Sequence, residues 1–174
     1  EKFIDSPRHI EVQVICDSHG NYLHLHERDC SIQRRNQKVI EEALAPAIDE
    51  KHKEKLFDIC VKAMEKMSYI GLGTLEFLYE KGNFYFMEMN TRIQVEHPVT
   101  EWTSGIDIVA EQFRIASGES IADLKVKSNG YSIEARVNAE RILQQADGSL
   151  AFRPHPGEVQ ECVFPEEEGV EIIT

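Results

Sequence analysis

The run from Thr74 to Met89, TLEFLYEKGNFYFMEM, constrains the fold more than any other stretch of the chain. Apolar residues alternate on both sides of a Lys-Gly-Asn break, the pattern of two strands joined by a tight turn. Leu75, Phe77 and Tyr79 fall on one side of the first strand, and Tyr85, Met87 and Met89 on one side of the second. If these share a buried face, opposed residue numbers must sum to an even value, because a slip of one residue turns every side chain over. A three-residue loop at 81–83 meets that condition. It sets Glu80 opposite Phe84 and Glu76 opposite Glu88, with Asn90 facing the same way. The same reading puts Leu78, Phe84 and Phe86 on the glutamate face.

Opposed Cβ atoms lie ~4.5–5.5 Å apart, and like charges at that spacing are destabilising unless a cation sits between them. Two carboxylates and an amide oxygen are a hard, all-oxygen set that suits Mg²⁺ or Mn²⁺, with phosphate oxygens completing the octahedron. The alternative is a solvated face on which each Glu meets water alone. Leu78, Phe84 and Phe86 argue instead for a buried cleft.

Asn90–Glu101 then packs Arg92, Gln94, Glu96, His97 and Glu101 into a segment leaving a strand end, a common ligand position. Arg92 can fork onto a planar oxyanion, and Glu96 beside it can act as a base. A surface ion pair is the competing reading. His97, next to Pro98, reads as shaping the loop through hydrogen bonds.

Elsewhere HIEVQVIC (His9–Cys16) alternates as a half-buried strand, and Tyr22–His26 returns after a turn at 17–21. Residues 27–42 are polar, with cations at Arg28, Arg34, Arg35 and Lys38. Asp49 is the expected N-cap of a helix over 50–68 with an apolar stripe of Leu56, Ile59, Cys60, Ala63, Met64 and Met67, and Gly71–Gly73 ends that unit. A second helix is expected over Ile106–Ala116, closed by Gly118, and a strand over Tyr131–Asn138. Gly148–Gly157 reads as a Pro-rich loop, and Glu158–Val163 and Val170–Thr174 as short strands. His24 and His26 read as a solvated strand face, Trp102 as packing, and Glu166–Glu168 as a solvated turn. The class is α+β.

At 174 residues, 41% hydrophobic and 29% charged, the composition is that of a globular domain or slightly more. A formal charge of −12 makes a poor general partner for nucleic acid or anionic membranes. No apolar run approaches the ~18 residues of a membrane span, so a soluble protein is expected. Cys16, Cys30, Cys60 and Cys162 show no metal spacing and read as buried thiols of a reducing compartment. The chain opens on Glu1 and closes on a strand-like VEIIT, and reads as a piece of a longer protein.

FMEMNTRIQVEHPVTE (Phe86–Glu101), preceded by GLGTLEFLYEKGNFY (Gly71–Tyr85), resembles the signature of the biotin carboxylase component of biotin-dependent carboxylases, such as acetyl-CoA, propionyl-CoA and pyruvate carboxylases. These are ATP-grasp enzymes. PRHIEVQV (Pro7–Val14), ERDCSIQRRNQKVIEE (Glu27–Glu42) and IEARVNAE (Ile133–Glu140) resemble the same family in the same order, so the likeness covers about 1–164. The Met-Asn-Thr-Arg…Gln-Val-Glu-His-Pro run is highly specific. Carbamoyl-phosphate synthetases have Glu-x-Asn-x-Arg without the rest.

The resemblance implies the C-terminal lobe of an ATP-grasp fold over 1–117, with a mainly antiparallel sheet, running into the start of the biotin carboxylase C-terminal domain over 118–174. It implies an ATP- and bicarbonate-dependent ligase that forms carboxyphosphate and carboxylates biotin on a carrier protein. ATP and Mg²⁺ or Mn²⁺ are then the cofactors, and biotin is a carrier-bound substrate. The partners are a biotin carboxyl carrier domain, a carboxyltransferase component and a second copy of the enzyme; nucleic acid and membrane are not. The location is cytoplasmic, or the mitochondrial matrix if the source is eukaryotic.

Residue by residue, Glu76 and Glu88 match the holders of the metals bridging the ATP phosphates, with Asn90 assisting. Glu1, Lys2 and Ile4 fall where the family's hinge strand meets adenine, and His9 and Gln33 on nucleotide contacts. Asn36 stands at a ribose contact where many members have His. Lys38, Arg92, Gln94 and the backbone of Val95 match the bicarbonate site. Glu96 matches the base, and Arg136 the residue near the biotin ureido oxygen. The chain departs from the family pattern at Arg141, where NAER replaces NAED, and at Pro154-His-Pro-Gly157, where Pro-Ser-Pro-Gly is common. The family's N-terminal domain and Gly-rich lid lie outside this sequence, so the chain alone is expected to be inactive. Two other readings stand beside this one: an assembly module of a carboxylase, and an ATP-grasp ligase with another acceptor.

Overall fold

A computed structural model, describing residues 3–158, 161 and 163–173, places strand β1 (Arg8–Cys16) inside a six-stranded antiparallel sheet. In chain order there follow β2 (Tyr22–Arg34), β3 (Gln37–Ala43), α1 (Glu50–Met67), β4 (Gly71–Glu80), β5 (Asn83–Asn90), α2 (His97–Ser104), α3 (Ile108–Ala116), β6 (Ser132–Ala135), β7 (Glu140–Gln144) and β8 (Leu150–Pro154). The large sheet runs β5-β4-β1-β2-β3-β6, and β7 pairs with β8 separately. The chain divides into two compact units, Glu1–Arg136 and Val137–Thr174. Among the described residues no helix is long and apolar enough to cross a membrane.

The alternation of β1 builds both faces of the first unit. Ile10, Val12, Val14 and Cys16 pack with Leu56, Phe57, Cys60 and Met64 of α1. Ile15 joins Leu25, Leu72, Ile108 and Ile115 in a second cluster under α3. Glu11 and Gln13 are buried as well, so β1 is covered on both sides rather than half-buried. Asp49 caps α1 as its side chain accepts from the His52 amide, and Asp107 caps α3 through the Ala110 amide. The apolar stripe of α1 is narrower than its sequence implies: Ile59 and Met67 are exposed, while Phe57 and the stem of Lys53 turn inward. Gly118 closes α3 with a left-handed φ of 87°.

The polar stretch 27–42 is the main departure from the sequence reading. It continues β2 and forms β3, joined by a turn at Arg35-Asn36 with φ of 53° and 62°. A bulge sets its register. Val14 faces His24 but Val12 faces Glu27, so Leu25 and His26 together oppose Gln13, with His26 at φ 67°. Without this extra residue Glu27 would oppose Glu11. With it, Arg28 opposes Glu11, and Glu27 turns towards α1, where Lys53 Nζ meets it at 2.9 Å.

The β4–β5 hairpin reaches its glutamate pairing by an unexpected route. The turn has two residues, Lys81 and Gly82, with φ of 49° and 81°, and Glu80 opposes Asn83 rather than Phe84. Phe77 therefore opposes Phe86, and Tyr79 opposes Phe84. A bulge at Met87 then restores the offset, and Glu76 opposes Glu88 as the sequence implies. Phe84 and Phe86 consequently lie with Phe77, their ring centroids 6.2 and 5.7 Å from it, and not on the glutamate face.

Smaller differences have similar local causes. Gly71–Gly73 open β4 instead of ending a unit, and the helix expected from Ile106 starts at Ile108. The loop after β5 turns helical at His97. In the second unit, 148–157 contains β8, paired with β7 around a turn in which Gln145 donates to Ser149 O at 2.8 Å. Val170–Ile173 form no strand; Glu158–Val163 lie partly, and Thr174 and Cys162 wholly, outside the described residues. Cys16, Cys30 and Cys60 are buried free thiols. Trp102 is largely exposed, and His24 stacks on Phe57 at 4.1 Å rather than facing solvent.

Candidate functional site

Where β1, β2, β3 and β4 meet the segment before α2, the polar positions of four strands share one face. Glu11 is the pairing centre: it opposes Arg28 on one side and Glu76 on the other. Arg28 is fully buried and all five of its N–H donors are engaged. Nε meets Glu11 at 2.6 Å, Nη1 meets Gln13 Oε1 and Thr100 Oγ1 at 2.9 Å each, and Nη2 meets Gln94 Oε1 at 3.1 Å and Thr74 Oγ1 at 3.4 Å. Because Gln94 accepts from Arg28 through its oxygen, its Nε2 is left to donate to Glu76 at 2.8 Å. One guanidinium thus fixes the orientation of an amide in the next layer.

Lys38 Nζ sits at the centre of three carboxylates: Glu11 Oε2 at 2.5 Å, Glu96 Oε1 at 2.7 Å and Glu76 Oε1 at 3.2 Å. Burial, the largest single influence, would lower its pKa, but the Glu11 charge together with the hydrogen bonds to Glu11 and Glu96 outweighs it and raises it, so Lys38 stays a cation. Burial would raise Glu11 as well, and the charges of Arg28 and Lys38 hold it down. Glu76 is lowered to about 2 despite burial, chiefly by the hydrogen bond from His9 and the Lys38 charge. His9 Nε2 lies 2.6 Å from Glu76 Oε2, and its Nδ1 lies 3.0 Å from Gln33 Nε2.

Glu96 occupies the N-cap position of α2 but does not cap it. Its side chain turns into the cluster, where Oε2 meets Arg136 Nη2 at 2.9 Å. Arg136 lies just beyond β6, its amide bonded to Val39 O at 2.9 Å, and the same Nη2 lies 2.7 Å from Glu41 Oε1. His97 Nδ1 pairs with Gln94 O at 2.8 Å, which shapes this segment as expected.

At the outer end of the cluster, Asn90 Nδ2 stands between the two opposed glutamates, 2.9 Å from Glu76 Oε1 and 3.4 Å from Glu88 Oε1. Turning the amide over would present Oδ1 beside the two carboxylates, giving three hard oxygen donors. The donor set therefore fits Mg²⁺ or Mn²⁺.

Of the residues singled out from the sequence, His9, Gln33, Lys38, Glu76, Gln94, Glu96 and Arg136 form one connected network, with Glu88 and Asn90 at its edge. Arg92 is exposed and donates to Ile93 O at 3.1 Å, and Val95 is exposed beside it. Asn36 is exposed in the β2–β3 turn, and Ile4 is half-buried before β1. Glu1 and Lys2 lie outside the described residues. Glu11, Gln13, Arg28, Glu41, Thr74, Thr100 and Glu134 were not singled out. Glu11 and Gln13 carried a signal, as polar positions alternating within a strand, but that pattern equally describes a solvated face.

A family model described as carbamoyl-phosphate synthase L chain, ATP binding domain, matches residues 1–124. The biotin carboxylase of Pseudomonas aeruginosa is 53% identical over 99% of this chain, which spans 37% of that protein's length. Among solved structures, the biotin carboxylase–β,γ-ATP complex from Campylobacter jejuni is 47% identical, with a TM-score of 0.86 over 97% of this chain and 36% of its own. The biotin carboxylase domain dimer of Hydrogenobacter thermophilus 2-oxoglutarate carboxylase, in complex with MgADP, ADP and bicarbonate, is 54% identical, with a TM-score of 0.77 over 80% of this chain and 32% of its own.

Proposed function

The chain belongs to the carbamoyl-phosphate synthase L chain ATP-binding domain family and is homologous to biotin carboxylases along nearly its whole length, and from this we propose that it supplies the phosphate- and bicarbonate-facing part of a biotin carboxylase. The enzyme uses ATP and bicarbonate to carboxylate biotin on a carrier domain, and passes the carboxyl group to a carboxyltransferase. The observation that carries this reading is the position of Glu96, 2.7 Å from Lys38 and 2.9 Å from Arg136 in the same network as Glu76.

Glu96 is the base that removes the proton of bicarbonate, which is a weak nucleophile until then. Lys38, Arg92, Gln94 and the Val95 backbone hold the anion. The deprotonated oxygen attacks the γ-phosphorus, ADP leaves, and carboxyphosphate forms. Carboxyphosphate breaks down to CO₂ and phosphate, the phosphate takes the proton of the biotin ureido nitrogen, and that nitrogen attacks CO₂. Arg136 stabilises the enolate-like ureido oxygen on the way. Glu76, Glu88 and Asn90 hold Mg²⁺ or Mn²⁺, which supplies charge neutralisation at the phosphates when bound. Ile4, His9, Gln33 and Asn36 are the nucleotide contacts on this reading, and the sequence match assigns Glu1 and Lys2 the same role. Pairing with a second copy is supported by the dimer of the Hydrogenobacter domain. A cytoplasmic location fits its bacterial relatives.

The test is phosphate release by the complete carboxylase with ATP, with and without bicarbonate and free biotin. Release that requires bicarbonate and rises with biotin is the expected result; release indifferent to both would refute the reading. Because this chain spans 37% of its relative, it should show no such turnover by itself.

A further inference from the structure

Glu41, close to the proposed base, has an arrangement that the chemistry above leaves unexplained. It lies on β3, directly opposite Glu134 on β6, and is fully buried. Neither of its carboxylate oxygens receives a well-aimed hydrogen bond, and its charge is met by the ion pair with Arg136. Arg136 Nη2 lies 2.7 Å from Glu41 Oε1, outside hydrogen-bonding geometry, while the same nitrogen donates to Glu96 at 2.9 Å. Arg136 Nε also lacks a hydrogen bond, with Glu134 at 3.7 Å. The charged groups acting on Glu41 are Arg136, Glu96 and Lys38.

The proposed base has a difficulty in this arrangement. Glu96 is held on both oxygens, Oε1 by Lys38 and Oε2 by Arg136. Each cation occupies one lone pair of a Glu96 oxygen, so the position beside Arg136 opens to bicarbonate only when the guanidinium swings away. Lys38 has other carboxylates within reach at Glu11 and Glu76, and is itself expected at the bicarbonate site. Arg136 has Glu41, whose Oε1 lies 2.7 Å from its Nη2 against 2.9 Å for Glu96 Oε2, although the N–H is aimed at Glu96.

We propose that Glu41 is the alternate anchor of Arg136: a positioning residue that receives the guanidinium and so releases Glu96 to act on bicarbonate. The inference rests on the biotin carboxylase reading and deepens it. Burial raises the pKa of Glu41, and the charge of Arg136 opposes that rise, so its anionic form is stabilised as the guanidinium closes on it. Glu134 is raised to about 7, by burial and then by the Glu41 charge, so the pair holds a proton more readily than two separate glutamates while Arg136 remains on Glu96. A second carboxylate behind the arginine keeps it from being lost to solvent when it leaves the base.

The test is bicarbonate-dependent ATP cleavage without biotin in the complete carboxylase. Glu41→Gln keeps the shape and removes the anchor. Its kcat should fall roughly tenfold to a hundredfold, with the KM for ATP unchanged. Adding Arg136→Ala to that variant should raise the rate again, to the level of Arg136→Ala alone, because the clamp on Glu96 is then gone. A merely structural role for Glu41 gives no such reversal. Glu41→Gln at the parental rate, or a double variant no faster than Glu41→Gln, overturns the inference. If thermal melting shows Glu41→Gln unfolded at the assay temperature, the same two comparisons are read with Glu41→Asp, whose shorter reach should slow the reaction and whose defect Arg136→Ala should again relieve. Absence of bicarbonate-dependent cleavage by the parent would instead refute the carboxylase reading, and this inference falls with it.

Discussion

Lys38 and Glu96 meet at 2.7 Å, although one is on β3 and the other at the start of α2. The pair is set by what surrounds it. Glu11 takes Lys38 from one side at 2.5 Å, and Glu11 is itself held at 2.6 Å by the buried Arg28. A chain of alternating charges therefore runs from the sheet interior to the loop. Each member is oriented by a neighbour that water cannot replace, which is how a site keeps its geometry before substrate arrives.

Glu96→Gln should stop biotin carboxylation while leaving nucleotide affinity nearly intact. The substitution keeps size and reach but removes the base, a loss typically worth about 10²–10⁴ in rate. Nucleotide affinity by titration and phosphate release with biotin form the paired measurement. Near-normal carboxylation by this variant would exclude Glu96 as the base and turn attention to His97, bonded to the same segment.

Arg136→Ala should differ in kind. Its proposed partner is the ureido oxygen, so transfer to biotin should suffer more than bicarbonate-driven ATP cleavage. Equal losses in the two assays would remove Arg136 from the biotin step.

Arg28→Met should destabilise the fold by about 3–5 kcal/mol, the usual consequence of removing one partner from a buried ion pair. Methionine matches the stem but leaves Glu11 buried beside Lys38 alone and frees Gln13, Thr74, Gln94 and Thr100 of their shared donor. Urea unfolding gives the number. A loss under about 1 kcal/mol would place Arg28 among replaceable surface-like pairs.

Much of this arrangement was legible in the residues, and the limits are instructive. The hairpin's apolar alternation led to Glu76 opposite Glu88, and the structure has that pair, but through a two-residue turn and a bulge rather than a three-residue loop. Two one-residue differences cancelled. They do not cancel between turn and bulge, which is why the alternation points Phe84 and Phe86 to the wrong face. The polar stretch 27–42 hid β3 and most of β2 because their buried side chains are charged: Glu27, Arg28, Asp29 and Glu41 read as solvent-facing. Burial of ion pairs leaves no hydrophobic periodicity to detect. The bulge at His26, which brings Arg28 opposite Glu11, has no signature in composition either.

Gly82→Ala should cost about 1–2 kcal/mol. The residue has φ of 81°, and a Cβ there would come within 2.8 Å of His52 Nε2. His52 in turn pairs with the α1 cap Asp49 at 2.7 Å, so the turn and the helix start would be disturbed together. The check is a lowered urea midpoint with an unchanged slope. An unaltered midpoint would mean that the turn relaxes freely.

His24 supplies a pH dependence whose sign is fixed by its surroundings. Its ring stacks on Phe57 at 4.1 Å, half-buried between β2 and α1. Burial, followed by the charge of His26, depresses its pKa from 6.5 to about 4. The unfolded chain therefore binds a proton on His24 more readily than the folded chain does. Stability contributed by the neutral ring is fully present above pH 6.5 and is lost as pH falls through the window down to about 4. His24→Leu removes the titration and keeps an apolar partner for Phe57. Melting temperatures measured between pH 7 and pH 4 should fall less steeply for this variant than for the parent, after the common contribution of the carboxylates is matched by comparing slopes. Parallel slopes would show that the ring charges without leaving Phe57, and that the β2–α1 contact is looser than the stacking distance implies.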